Sequence, residues 1–299
     1  MQSKRRWQRV DGVLLLDKPS GMTSNHALQQ ARRLFSAEKG GHTGTLDPLA
    51  TGLLPLCFGE ATRFANDLLD ADKTYLAELR LGVRTNTGDA DGEIIEVRPV
   101  DVVEAALRQV LPRFIGLVSQ VPPMHSALKR DGVPLYKLAH QGIEVERQAR
   151  QVSIHGIDLT RFAAPLVELR VACGKGTYIR TLAEDVGAAL GCGAHLTALR
   201  RERVGDLDLA GARRLDELVA MSDEQRPACL LPIDALLRRL PRIDLEGEVA
   251  ARFQNGNAVA VPGPVGARFR VYVGDALIGV GRADLAGQLQ PQRLVRLAE

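Results

Sequence analysis

The sequence predicts an α+β fold: a mixed, largely antiparallel sheet with helices packed on it, followed by a small β-rich domain. Three observations lead there. Strand-like segments outnumber the helices that could cross between parallel strands. Two of them, 152–159 and 167–173, alternate apolar and polar residues and lie close enough in the chain to pair antiparallel. Near 241–245 the pattern changes to short strands split by Gly and Pro turns.

The elements follow in order. Residues 12–16 (GVLLL) form an apolar run ending in the turn cluster Asp17-Lys18-Pro19-Ser20-Gly21, which reads as a strand reaching the surface. Thr23 or Ser24 can cap a helix through about Phe35. Residues 40–52 hold clustered Gly, a Pro and no period, so they read as loop. A second apolar strand covers 53–58 and a helix 61–69. Over 74–81, Tyr75, Ala77, Leu79 and Leu81 alternate with Thr74, Leu76, Glu78 and Arg80, which predicts a half-buried strand. Residues 101–111 begin acidic, keep helical spacing and stop before Pro112. The clearest helix is 177–190, with Leu182, Val186 and Leu190 on one face and Gly191 to end it. A helix over 246–255 and strands over 268–273, 276–281 and 293–297 make the second domain, whose roughly 55 residues are enough to fold alone.

Composition narrows the classes. With 299 residues, 45% apolar and 25% charged, the chain has room for about two domains and is neither disordered nor collagen-like. No run approaches the roughly 18 apolar residues of a membrane helix. Residues 1–9 lack the apolar stretch and cleavage site of a signal peptide. The expectation is a cytoplasmic protein with no membrane partner. Cys57, Cys173, Cys192 and Cys229 are dispersed, with no CxxC and no paired histidines, so buried thiols are expected rather than a metal site or disulfides. The formal charge of +3 comes from Lys4, Arg5, Arg6 and Arg9, which leave 35 basic against 36 acidic residues in the rest. Two stretches, 124–150 and 196–214, each hold five Lys/Arg against three Asp/Glu, a balance that suits a solvated face or a polyanionic partner equally well.

Chemistry concentrates in 41–52, GHTGTLDPLATG, a loop between two elements. It is not a phosphate cradle: the chain has no GxxxxGK[ST] and no GxGxxG opening a helix, so no nucleotide cofactor is expected. Asp47 stands beside Pro48, which stiffens the turn. A lone aspartate before proline more often does no more than make an Asx-turn. The nearest other carboxylate, Glu60, lies beyond an apolar strand, which disfavours a two-carboxylate hydrolase. His42 can be a base, a stacking plate or a solvated residue. Tyr75 is either a core residue with its hydroxyl at the edge or a binding group. Arg180, in the first turn of a helix, opposes the macrodipole, so it needs a carboxylate partner, and Asp47 is a candidate.

These motifs, in this order, resemble one family. GHTGTLDPLATG at 41–52, KTY at 73–75, PPMHSALKRDGVPLYKLA at 122–139, GTYIRTLAEDVG at 176–187 and LTALRR at 196–201, preceded by KPSGMTS at 18–24, look like the tRNA pseudouridine-55 synthases of the bacterial TruB type. The resemblance runs from about 13 to 205. The tail at 253–295, with FQNGN and QPQRLV, is similar to the PUA-like RNA-binding domain of these enzymes. The implied organisation is a basic arm at 1–9, a pseudouridine synthase domain at 10–244 with a candidate mobile RNA-binding flap at 123–150, and a PUA-like domain at 245–299.

The resemblance implies an isomerase that converts a uridine in the T loop of tRNA to pseudouridine, acting as a monomer and needing neither metal nor organic cofactor. Asp47 matches the nucleophilic aspartate, Arg180 its arginine partner, and Tyr75 the tyrosine that stacks on the base and helps remove the C5 proton. Tyr178 and Leu199 match further uracil contacts, Leu199 through its main chain, while His42 matches a residue that fills the space of the extruded uridine. Lys129 and Arg130 are expected to meet phosphates of the T arm. One departure is His140, where the family often has an arginine, a weaker phosphate contact when neutral. The alternative is an RNA-binding or RNA-folding protein on the same scaffold without catalysis.

Overall fold

The computed structural model describes residues 6–126, 128–261 and 263–296, the side chain of His140 excepted. Lys4 and Arg5 of the basic arm, and residue 297 at the end of the last expected strand, lie outside the described residues, as does the phosphate-contact reading of His140.

The strand Gly12–Lys18 is apolar at nearly every position because both of its faces are covered. Leu14 and Leu16 point into a core shared with Leu54, Leu56, Phe58, Ala77, Leu79 and Val171, roofed by Ala27, Leu28 and Ala31 of one helix and Leu182, Ala183 and Val186 of another. Val13 and Leu15 point the other way, toward Leu53, Phe64, Leu68, Leu236 and Leu237. Period-two alternation sends successive side chains to opposite faces, so a strand buried twice carries no polar stripe. Lys73–Leu81 behaves as its alternation predicts: Ala77, Leu79 and Leu81 are buried and the intervening residues are not.

The large sheet runs in the order Arg213–Arg214, Gly12–Lys18, Thr51–Phe58, Ala194–Val204, Lys73–Leu81, Leu166–Cys173, Arg150–Ala163, Gly116–Gln120. Arg150–Ala163 and Leu166–Cys173 pair antiparallel, as do most neighbours. The exceptions are the parallel contacts of Gly12–Lys18 with Arg213–Arg214 and of Thr51–Phe58 with Ala194–Val204. A second sheet contains Arg242–Asp244, Arg268–Val273, Ala276–Ala283, Gln288–Leu294 and Val259–Ala260, with its own core around Phe253, Val271, Ile278 and Leu289. The fold is therefore α+β with a β-rich C-terminal part.

Several elements differ from the sequence reading. Residues 40–52 are not all loop, since Gly40–His42 pairs with Thr51–Phe58. The helix expected over 61–69 is a 3-10 turn, Gly59–Phe64, followed by a short α-helix, Ala65–Leu69. The last strand is Gln288–Leu294 rather than 293–297: its residues are mostly polar, and Leu289 is the position that packs inward, which hides the alternation. Ala194–Val204 is a central strand that periodicity did not reveal. Its charges are neutralised laterally, Arg200 by a two-pronged contact with Asp17 and Glu202 by one with Arg170. Cys57, Cys173 and Cys192 are buried thiols, and Cys229 is half-buried.

Candidate active site

The site lies where the sheet is split. Thr51–Phe58 and Ala194–Val204 pair as a short parallel ladder, Arg200 opposite Thr51 and Arg201 opposite Gly52. Gly52 has φ +97°, and a Cβ there would stand 2.3 Å from the Arg201 carbonyl oxygen, so the close approach of these strands requires glycine. The loop 43–50 leads into Thr51 and is tied to the facing strand where Arg201 donates to Gly44.

Backbone contacts from three directions fix that loop. Ser24 Oγ donates to Leu46 O at 2.9 Å and accepts from Leu46 N at 2.7 Å, while Thr23 Oγ1 caps the helix Ser24–Leu34 by accepting from His26 N. The buried Lys18 ammonium donates to Pro19 O at 2.8 Å, Met22 O at 2.6 Å and Pro48 O at 3.4 Å. Burial brings its pKa down to about 8, against the pull of Asp47. Arg201 Nη2 donates to Gly44 O at 3.1 Å. The turn at Asp47 is closed by its own carbonyl, which accepts from Ala50 N at 3.0 Å. The Asp47 carboxylate points at a different partner.

That partner is Arg180. Its side chain is 5% exposed, and Nε lies 3.0 Å from Asp47 Oδ2 and 3.5 Å from Asp89 Oδ2. Nη2 donates to His125 O at 2.7 Å and Nη1 to Thr87 O at 3.3 Å. Asp89 is buried too, and its Oδ1 accepts from Thr87 Oγ1 at 2.6 Å and Asp91 N at 3.2 Å. Asp89 was not singled out from sequence, although its acidic, Gly-flanked turn TGDADG and the unmet charge of Arg180 were the available signals. Burial holds the Asp47 carboxyl above its ordinary value; Arg180 opposes this and Asp89 adds to it. Arg180 thus orients Asp47 without fully offsetting the cost of its ionisation.

The aromatic residues surround this pair. Tyr75 is half-buried against the core and, with Tyr178, lies within electrostatic range of Asp47. Burial raises the Tyr75 hydroxyl, and the Arg201 guanidinium beside it acts in the opposite direction. Tyr178 precedes the helix Ile179–Ala189 and is clasped by Gln120, which accepts from Tyr178 N at 3.0 Å and donates to Tyr178 O at 3.3 Å. Gln120 also went unnoticed in the sequence. His42 ends the short strand on the same loop; burial first, then Arg201, lower its pKa and favour the neutral ring. The Leu199 carbonyl accepts from Thr51 Oγ1 at 3.4 Å at the head of the split.

Lys129 and Arg130 stand apart. They lie exposed on a small hairpin with Val133–Pro134, followed by the helix Leu135–His140, and no hydrogen bond or ion pair joins them to Asp47, Tyr75 or Arg180 among the described residues. They line a cavity of about 330 Å³ with Arg147 and Arg150. Among the described residues no three His, Cys, Asp or Glu side chains gather as metal ligands would.

Comparison with known proteins agrees with this geometry. Residues 32–179 match the TruB family pseudouridylate synthase N-terminal domain, 180–238 the tRNA pseudouridylate synthase B C-terminal domain, and 241–295 the pseudouridine synthase II TruB C-terminal domain. The chain is 60% identical to the tRNA pseudouridine synthase B of Dechloromonas aromatica (strain RCB) over the whole of both proteins. It is 56% identical to that of Ralstonia nicotianae (strain ATCC BAA-1114 / GMI1000), covering 99% of this chain and 98% of the relative. Among solved structures, a chain of an archaeal box H/ACA sRNP Nop10-Cbf5 complex aligns with a TM-score of 0.72 at 26% identity, covering 95% of this chain and 85% of that one. A fold of this kind, a full-length match and a buried arginine holding the loop aspartate lead to one assignment: the chain belongs to the TruB family of pseudouridylate synthases.

Proposed function

We propose that this protein isomerises a uridine in the T loop of tRNA, position 55, to pseudouridine, with Asp47 as the nucleophile. The carrying observation is the 3.0 Å contact between Arg180 and Asp47, in which a buried cation aims a carboxylate outward from a loop fixed on three sides. A protein that merely held RNA would gain little from burying a guanidinium between two acids. Asp47 attacks C1′ of the extruded nucleoside as the bond between N1 and C1′ breaks. The freed uracil turns, C5 bonds to C1′ as the Asp47 carboxylate leaves, the C5 proton departs and N1 takes one up, so the reaction balances with no redox partner. Tyr75 and Tyr178 hold the base, and His42, kept neutral, takes the space it vacated.

Recognition of the T arm falls to Lys129 and Arg130, together with Arg147 and Arg150 of the same cavity, and to the C-terminal sheet. There Arg282, Arg293 and Arg268, the last ion-paired with Asp67, border a cavity of about 610 Å³ that Asp70 also lines. On this reading the enzyme acts as a monomer, in the cytoplasm. Mapping pseudouridine in unmodified tRNA after incubation with the pure protein tests it. An isolated T-arm stem-loop should react at a rate comparable to whole tRNA and an anticodon stem-loop hardly at all. An inert T arm would overturn the target.

A further inference from the structure

Arg201 is the largest side chain buried almost completely, at 1% exposure, and the reaction as described gives it no role. Its backbone sits opposite Tyr75 on one side and Gly52 on the other, so it joins the strand carrying the tyrosine to the strand that leaves the loop. Its side chain reaches further. Nε donates to Leu53 O at 2.8 Å and Nη2 to Gly44 O at 3.1 Å, and as the residue paired with Tyr75 across the ladder Arg201 shares a face of the sheet with the tyrosine side chain. A planar fork with five N–H donors can serve two carbonyls and a phenol oxygen at once, which a lysine cannot. Burying this charge is costly, and it stands among other basic groups, Lys18, Lys73 and His42, all of which it pushes toward the neutral form.

We propose that Arg201 is a positioning residue for the proton-removal step: it fixes the Tyr75 hydroxyl as an acceptor and locks it to the loop that carries Asp47. This rests on the isomerase reading. When C5 of the rejoined uracil loses its proton, the C–H electron pair returns to the ring. The proton passes to a solvent water held on the Tyr75 oxygen, and Arg201, permanently charged, takes none. A guanidinium donating to the phenol oxygen leaves that oxygen one lone pair to accept from the water.

The test uses the full-length enzyme and tRNA with deuterium at uridine C5, under single-turnover conditions. Arg201→Met should lower the rate by about 100-fold and Arg201→Lys by less, with tRNA affinity within about threefold, and the C5 isotope effect should rise above the wild-type value as proton removal becomes limiting. A wild-type rate in Arg201→Met, or a loss of rate with the isotope effect unchanged, overturns the proposal. Should both variants fail to fold, NMR of arginine-labelled enzyme still decides it: Tyr75→Phe must shift the Arg201 guanidinium signals, and unshifted signals refute the contact. Absence of pseudouridine with the wild-type protein would instead sink the isomerase reading itself.

Discussion

Asp47 and Asp89 approach the same nitrogen, Arg180 Nε, from 3.0 and 3.5 Å. Asp89 is buried and held by Thr87 and by the backbone of Asp91, whereas Asp47 keeps 38% of its side chain exposed. One carboxylate is therefore structural ballast for the arginine, and the other remains open to solvent.

Asp47→Asn should abolish isomerisation and leave tRNA binding within about tenfold, because the amide keeps the size of the side chain and loses the attacking anion. Release of C5 hydrogen from labelled tRNA, measured beside filter binding, checks it. Turnover above a trace would remove Asp47 from the mechanism.

In the proposed mechanism the reactive form of Asp47 is the anion, and its carboxyl is raised above the ordinary 3.8. Protonation on lowering the pH therefore begins earlier than for a free aspartate, and the acid limb of the single-turnover rate should lie above that value. Asp89→Asn removes a like charge that raises Asp47, so the limb should move to lower pH. A shift to higher pH would mean that Asp89 acts chiefly by holding Arg180.

Gly52→Ala should destabilise the protein by more than about 3 kcal/mol, since a side chain there meets strain at positive φ and a collision with the Arg201 backbone together. Denaturant unfolding gives the number. A change under about 1 kcal/mol would show that the split in the sheet is wider than described.

The C-terminal sheet cannot be treated as a detachable module. Tyr272, Leu277 and Val280 share a core with Leu53, Phe64 and Leu68, and each buried apolar side chain contributes about 1.5–3 kcal/mol. Removing residues 246–299 should therefore lower the melting temperature by at least about 10 °C. Arg282→Ala with Arg293→Ala, both exposed, should spare the fold, weaken tRNA binding and leave chemistry on saturated RNA unchanged. Equal loss of single-turnover rate and affinity would contradict that division of labour.

Lys129→Ala with Arg130→Ala should weaken T-arm and whole-tRNA binding alike and reduce the slope of log affinity against log salt by about 1 to 2, the counterions two phosphates release. An unchanged slope, read by titration at several salt concentrations, would take these residues out of the RNA interface.

Much of this protein was legible in the chain. Alternation at Tyr75, Ala77, Leu79 and Leu81 gave the strand, Thr23 and Gly191 marked helix ends, and the unfavourable place of Arg180 in its helix called for an acid. Such features depend on neighbours within a few residues, and sequence displays neighbours directly. The motif resemblance matched Asp47, Tyr75 and Arg180 to one site, and the fold brings Arg180 to 3.0 Å from Asp47.

What the chain concealed depends on partners far along it. Ala194–Val204 reads as a charged surface segment until Asp17, Arg170 and the carbonyls of Gly44 and Leu53 are brought beside it. Asp89 meets Arg180 across some ninety positions, and Gln120 meets Tyr178 across 58. A buried charge is tolerable only when such partners surround it. The sequence determined which segments become strands and helices and which loop carries the aspartate; the tertiary fold alone decided which charges could be buried, and so which carboxylate was left exposed.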